Sequence, residues 1–487
     1  MRPFHVKERL LNKAGISSPS SSFHSFSGQR YIRFYVTLLF VFRVRFHSYL
    51  GKCEVNSMAT MTKDTYIPRL IDRKIDQYLN LFGAVEISGT KWCGKTWSAL
   101  AHANSAIYVD RGSNQLLIES DPQYALVGAT PHVIDEWQRV PQVWDCVRHA
   151  VDDTTEKGQW ILTGSSTPAK DKVNHSGAGR IGRLSMHPMS LQESGDSTGK
   201  VSLAALFKGG FAPCPCASGI DSLTELICRG GWPGALALTS DTIRPVLMGY
   251  LETVHNKSVP DLGGRELISS RVAESLARNL GQSSTNVTLA RDVFALDGAL
   301  APTDTQKREV SQHLEYLVQL YLIDELPGWV PASRSPNRMR TKPKRYFADP
   351  SLAIAALGLN KQNLLEDYQT LGLAFENLCM RDLQVYASSL DAAGSHPVRY
   401  YRDDSDLEID AVIELADGTW GAFEIKLSET KVEQAANSLL RMRDKLLSDK
   451  MGRTKPPAFL AVLTGMGEIA YKRPDGVYVI PIRAFGA

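Results

Sequence analysis

Short apolar runs recur along the first half of the chain, separated by stretches with helical spacing. Leu70, Ile71, Ile75, Tyr78 and Leu79 repeat as one face of a helix that begins near Pro68. Val85 to Leu100 reads as a short strand, a glycine-rich turn and the first turns of a second helix. Ala106 to Asp110, the lead-in at His132 to Ile134, and Gly158 to Ser166 read as further short strands. Strands alternating with helical stretches predict an α/β unit built on a parallel sheet.

The second half is patterned differently. Asp221 to Leu251 is helical with an interruption at Gly230 to Gly234, and Glu266 to Glu325 holds apolar positions at Val272, Leu276, Leu280, Leu289, Val293 and Val310 to Leu322. Helices followed by Tyr321 to Leu326 predict a winged-helix-like middle. Then Leu371, Phe375, Leu378 and Leu383 mark a helix, and Leu407 to Ile413 and Trp420 to Lys426 read as strands joined at Asp417-Gly418. A helix around Lys431 to Leu447 and the run Ala458 to Leu463 complete an α/β unit. Gly476 to Ile482 reads as an edge or final strand, because Pro481 removes a ladder donor.

A chain of 487 residues exceeds one domain. The turn-rich stretch Lys208 to Gly219 marks a boundary. Hydrophobic residues at 43% and charged residues at 22% suit a globular protein and name no partner. The net charge of +3 is uneven: residues 1–57 carry a strong basic excess, so the remainder is acidic overall and attracts phosphate only through local patches. Seven cysteines without regular spacing point to a reducing compartment and a cytoplasmic location, and Cys214-Pro-Cys216 reads as two loop cysteines. The apolar run Phe34 to Phe42 is too short to span a membrane. Residues 1–60 read as a disordered leader or a misassigned start ahead of Met58 or Met61.

Gly89-x-x-x-x-Gly94-Lys95-Thr96 fits the phosphate-loop pattern in full. Gly89, Thr90, Lys91, Trp92, Cys93 and Gly94 form the cradle, Lys95 reaches the β/γ oxygens, and Thr96 offers a hydroxyl to Mg²⁺. Asp135 and Glu136 end an apolar run, where the first acid can serve Mg²⁺ and the second can orient or deprotonate water. Ser165, at the end of another strand, can touch the γ-phosphate or the water, and Arg180, ahead of Arg183, can stabilise transition-state charge in its own or a neighbouring subunit.

GTKWCGKT, VIDEWQRVP, ILTGSS, GRIGRLSMHPMSLQE and GGWPGAL, in this order, resemble the prokaryotic AAA-type P-loop ATPases that carry a C-terminal domain of unknown function with a restriction-endonuclease-like fold. The resemblance runs from about Tyr66 to the C-terminus. It implies ATP and Mg²⁺ as cofactors, with Lys95, Thr96, Asp135, Glu136 and a sensor around Ser165 serving them. Trp92-Cys93 departs from the small or polar filling expected in the loop.

A second constellation lies in the C-terminal part. Glu376 sits on a helix, Asp410 on a strand, and Glu424 and Lys426 on one face of the next strand. Two carboxylates and a lysine, with a helix glutamate beside them, suit metal-dependent phosphodiester cleavage and match the D…ExK arrangement of restriction-endonuclease-like folds. Ile409 stands where a proline commonly precedes the first acid. Cleavage, a nucleic-acid-binding remnant and protein–protein use stay open. The cations from Arg334 to Arg345 can line a DNA backbone or form a solvated loop.

The expected order is therefore a P-loop AAA-like parallel-sheet core over 61–210, a helical lid over 211–262, a winged-helix-like unit over 263–345 and a restriction-endonuclease-like α/β domain over 346–487. The expected function is a Mg²⁺-dependent ATPase coupled to a DNA-contacting, nuclease-like domain, possible as a homo-oligomer and without a membrane. The alternative is a non-catalytic, ATP-dependent interaction switch.

Overall fold

The computed structural model describes residues 66–167, 176–297, 300–331, 342–391, 393–448 and 454–487. In the first part, β1 (Ala84–Gly89), β2 (Ser105–Tyr108), β3 (His132–Asp135), β4 (Trp160–Gly164) and β5 (Ile181–Met186) form one sheet in the order β2-β3-β4-β1-β5. Every pairing is parallel. Side chains alternate between the faces of a strand. Ala84, Ile134 and Leu162 thus join Val143, Trp144 and Val147 of the helix Gln142–Asp152 in one core. Val85, Ile87, Val133 and Ile161 join Ile75 of the helix Asp72–Leu81 and Ala99 of the helix Lys95–Ala101 in the other. Burial on both faces explains why these strands read as nearly continuous apolar runs.

Beyond β5 come β6 (Val201–Ser202) and β7 (Cys214–Ser218), whose partners lie at the far end of the chain. The helices Ser240–Thr253, Glu266–Arg278, Asn286–Val293 and Asp304–Gln319 share a core around Leu247, Val272, Leu289 and Leu317. The antiparallel pair β8 (Ile323–Leu326) and β9 (Lys344–Phe347) follows them. The C-terminal body holds β10 (Ala393–Arg402), β11 (Glu408–Leu415), β12 (Trp420–Lys426), β13 (Phe459–Thr464), β14 (Gly467–Lys472), β15 (Tyr478–Pro481) and β16 (Phe485–Gly486). Its seven-stranded mixed sheet runs β10-β11-β12-β13-β15-β14-β7, while β16 pairs with β6. The helices Tyr368–Ser389 and Val432–Leu447 each bury an apolar stripe in the cores of this body.

Three expectations change. The stretch Lys208 to Gly219 is not turn throughout, because Cys214–Ser218 forms the edge strand β7 of the C-terminal sheet. An edge strand tolerates Pro215, whose missing N–H would break an interior ladder. The boundary expected there therefore falls within a segment already built into the C-terminal body. The helix Ile220–Arg229, expected as half of a lid, buries Leu223, Leu226 and Ile227 in the same core. Finally, β15 is neither edge nor final: it lies between β13 and β14, with Pro481 at its last position.

One buried charge group ties these parts together. Arg381 bonds Asp349 at 2.8 Å and Asp382 at 2.7 Å, with all three side chains essentially inaccessible. Asp349 also accepts from the Gly231 N–H at 2.9 Å, and Asp382 from the Leu191 N–H at 3.1 Å. Among the described residues no helix is long and apolar enough to cross a membrane. Removing Arg381 would strand two buried carboxylates, so Arg381→Met should lower stability by about 3–5 kcal/mol. Arg402→Met, at an exposed ion pair with Asp406, should cost about 1 kcal/mol or less. Urea unfolding of the full chain checks both, and equal midpoints for the two variants would contradict the assignment.

Candidate functional site

The phosphate-loop residues connect β1 to the helix Lys95–Ala101. Gly89 cannot carry a side chain, since a Cβ there would lie 2.1 Å from the Met186 carbonyl oxygen. Trp92 adopts φ 69°, a left-handed conformation unusual for a large side chain. Its ring stacks on Trp232 with centroids 5.6 Å apart and planes 15° from parallel. Cys93 is fully buried beneath the loop, its Sγ 3.5 Å from the Met186 carbonyl. The uncommon Trp-Cys pair thus has a packing role: one side chain caps the loop and the other seats it.

Lys95 is buried, and its Nζ donates to the Thr90 carbonyl at 2.7 Å. No ion pair involving Lys95 occurs among the described residues. A buried ammonium with a neutral acceptor is costly unless an anion completes its surroundings. The Thr90 hydroxyl is likewise buried without a hydrogen-bond partner among the described residues. Thr96 donates to Asp135 at 2.8 Å, and Thr163 also donates to the same carboxylate oxygen. Burial pushes the Asp135 carboxyl up, while these two hydroxyls act against that shift. This donor set fits a magnesium-bound polyphosphate: Lys95 for the anion, with Thr96 and Asp135 for the ion's hydrated shell.

Glu136 follows at φ 58°. Its carboxylate accepts from Gln138 Nε2 at 2.5 Å and from Ser165 Oγ at 3.0 Å, so β3 and β4 bring the expected acid and sensor together. Arg180 does not join them. β1 and β5 run in register from Ala84↔Ile181 to Gly89↔Met186, which puts Arg180 at the opposite end of the sheet from the loop. The separation is roughly 17 Å of strand. Arg180 is exposed and paired with Asp152 at 2.8 Å, so it serves no phosphate at its own chain's loop.

Several residues at the site carry no local sequence signal. Arg69 is buried and donates to the Cys93 carbonyl at 2.9 Å, to the His187 carbonyl at 2.9 Å, and to Glu193 at 3.0 Å. Lys91 Nζ donates to Ser258 at 2.9 Å, and burial lowers its ammonium pKa against the pull of Glu136. Behind Ser165, the Thr167 N–H donates to the Gln319 carbonyl at 3.1 Å, and its hydroxyl lies 2.8 Å from the Tyr321 hydroxyl. His187 meets Asp324 of β8 at 3.1 Å. The loop is thus wired to the middle helices and their hairpin at several points.

The C-terminal constellation also assembles, though with different neighbours. Lys426 lies 2.5 Å from Glu424 and 3.2 Å from Asp410, which also accepts from the Ile425 N–H at 2.8 Å. Glu376 accepts from the Tyr346 hydroxyl at 2.6 Å. Burial, and then the neighbouring Asp410, raise the carboxyls of Glu376 and Glu424. Asp410 itself is lowered: burial opposes its charge, but Lys426 and Lys344 outweigh it. Among the described residues no three Asp, Glu, His or Cys side chains converge as metal ligands. Within the expected metal set Glu376, Asp410 and Glu424, the ammonium groups of Lys426 and Lys344 stand among the acids.

Of the proposed DNA-contacting cations, Lys342 is exposed. Arg334, Arg338 and Arg340 lie outside the described residues. Lys344 is buried against Glu408, and Arg345 pairs with Glu325 at 3.0 Å and donates to the Ser284 carbonyl at 2.9 Å. These two cations face protein carboxylates rather than a phosphate backbone.

Residues 82–195 match the family described as AAA domain, a match that supports a P-loop ATPase domain here. Residues 220–363 and 371–485 match two domains of unknown function, DUF8612 and DUF4143. Two curated relatives, uncharacterized proteins of Mycobacterium bovis and Mycobacterium tuberculosis, are each 24% identical over 316 residues. Those residues are 64% of this chain, and the chain spans 62% of each relative's length. Among solved structures, the Walker-type ATPase of Pyrococcus abyssi is 14% identical, with a TM-score of 0.38 over 60% of this chain and 97% of that one. The ORC1 protein of Aeropyrum pernix in complex with DNA is 12% identical, with a TM-score of 0.21 over 61% of this chain and 94% of that one. Both scores are too low to define a shared overall fold.

The His187–Asp324 contact gives a pH-dependent prediction. Burial opposes charging of the imidazole, but Asp324 outweighs it and the pKa rises above the ordinary 6.5. The folded chain then holds this proton more tightly than the unfolded chain. The contribution is complete below about pH 6.5 and is lost as pH climbs through the raised value. His187→Gln should remove up to one proton's share of the fall in stability above neutrality, at most about 1.4 kcal/mol per pH unit. Urea midpoints measured across that range check this, and a profile parallel to the parent's would contradict it.

Proposed function

We propose that the chain is an ATP-binding, Mg²⁺-dependent switch whose phosphate loop hydrolyses ATP and passes its nucleotide state to the middle helices and the C-terminal body. The observation that carries this reading is the joining of Lys95, Thr96, Asp135, Glu136 and Ser165 at one end of the parallel sheet, supported by the AAA-domain match over residues 82–195.

Lys95 would bind the phosphates, and Thr96 with Asp135 would hold Mg²⁺, which supplies charge neutralisation to the triphosphate. Glu136 would orient or deprotonate an attacking water, and the hydrogen bonds from Gln138 and Ser165 to its carboxylate support this. Trp92 on Trp232, Lys91 on Ser258 and Thr167 on Gln319 offer routes by which a change at the loop reaches the middle helices. Lys344, a cation outside the D…ExK set that lies against Glu408, favours an interaction role for that body over phosphodiester cleavage.

Calorimetry and phosphate release on the full chain test the proposal. Lys95→Ala should abolish ATP uptake. Glu136→Gln should retain it while slowing phosphate release by about 10²-fold or more. ATP uptake that survives Lys95→Ala, or turnover that survives Glu136→Gln, would refute the assigned roles.

A further inference from the structure

The acidic cluster of the C-terminal body is shared with a strand from outside it. Glu376 comes from the helix Tyr368–Ser389, Glu408 and Asp410 from β11, and Glu424 from β12, while Lys344 arrives from β9 of the hairpin. Lys344 Nζ lies 2.6 Å from Glu408, 3.8 Å from Glu376 and 4.0 Å from Asp410. Its side chain is only 4% exposed. The ring of Tyr400 also lies 5.4 Å from the ammonium, a distance suited to a cation–π contact. An ammonium carries three donors and no acceptor, so it suits a pocket of carboxylates. It cannot share that position with Mg²⁺ or Mn²⁺, which take carboxylate oxygens at close range and would be repelled by it.

We propose that Lys344 is the resident cation of this cluster, closing it to divalent metal ions while β9 is docked and making it a socket that fixes the hairpin to the C-terminal body.

The surroundings of β9 fit a docked plug. Lys344 and Tyr346 share one face of the strand because side chains alternate. The Tyr346 hydroxyl donates to Glu376 at 2.6 Å, next to the ammonium. Asn377 clamps the strand backbone on both sides, accepting from the Phe347 N–H at 3.1 Å and donating to its carbonyl at 2.7 Å. Tyr400 holds the strand's entry by donating to the Lys342 carbonyl at 2.5 Å. The other strand of the hairpin, β8, carries Asp324, the partner of His187. The same two-stranded element therefore meets both His187 and the acidic cluster. The inference rests on the geometry of the cluster and is independent of ATP turnover.

Mn²⁺ uptake by the full chain without nucleotide, followed by electron paramagnetic resonance of the free ion, tests it. The parent should take up no Mn²⁺ at the cluster. Lys344→Met should take up about one equivalent of Mn²⁺, read as a loss of free-ion signal, and adding Asp410→Asn should abolish it. Lys344→Gln keeps a hydrogen-bond donor beside Glu408 while removing the positive charge, and should give measurable uptake even if Lys344→Met fails to fold. Adding Lys95→Ala to Lys344→Met should leave uptake unchanged, which separates this outcome from any failure at the phosphate loop. Uptake by the parent that is lost on Asp410→Asn, or no uptake in any folded variant lacking Lys344, would overturn the proposal.

Discussion

The buried guanidinium of Arg69 is the contact on which the rest of the arrangement depends. One planar group reaches the phosphate-loop backbone at Cys93, the backbone after β5 at His187, and the carboxylate of Glu193. Glu193 in turn accepts from the N–H groups of Leu70 and Ser190 at 2.8 Å each. A fork of fixed donors matched to fixed acceptors tolerates little displacement. The loop, the edge of the sheet and the chain leaving it therefore hold one geometry. From His187 the connection passes to Asp324 and hence to the hairpin that carries Lys344.

The loop is held from its other side by aromatic packing. Trp92 accepts a left-handed backbone, which costs of order 1–3 kcal/mol for a residue with a side chain. Stacking on the fully buried Trp232, which itself packs against Tyr250, offsets that strain. The same contact couples the loop to the segment after Gly230-Gly231, whose backbone is anchored by Asp349. Strain at the loop and buried charge behind it belong to one connected structure.

The phosphate loop, the Asp135–Glu136 pair and the C-terminal acids were legible in the sequence because each rests on short spacing or strand alternation. The residues that organise them were not. Arg69 and Glu193 meet across more than a hundred residues, and neither has a patterned neighbour. Lys344 stands in a run of cations that suggests a solvated or DNA-facing stretch, and only the pairing of β8 with β9 turns it toward the acids. Cys214–Ser218 carries turn residues yet forms a strand, because its partner β14 lies some 250 positions later and its edge position tolerates proline. For Arg180 the sequence does not tell which end of β5 it occupies, and the register of β1 with β5 places it away from its own chain's loop.

In the proposed switch, nucleotide at the loop is felt at the hairpin and the acidic cluster. Hydrogen exchange on the full chain, with and without Mg²⁺ and ATP, tests this most directly. Nucleotide should alter protection both around Gly89–Thr96 and in β8–β9, with the hairpin change lost in Arg69→Lys while that variant still binds ATP. A change confined to residues 82–195 in the parent chain, with β8–β9 unaffected, would contradict it.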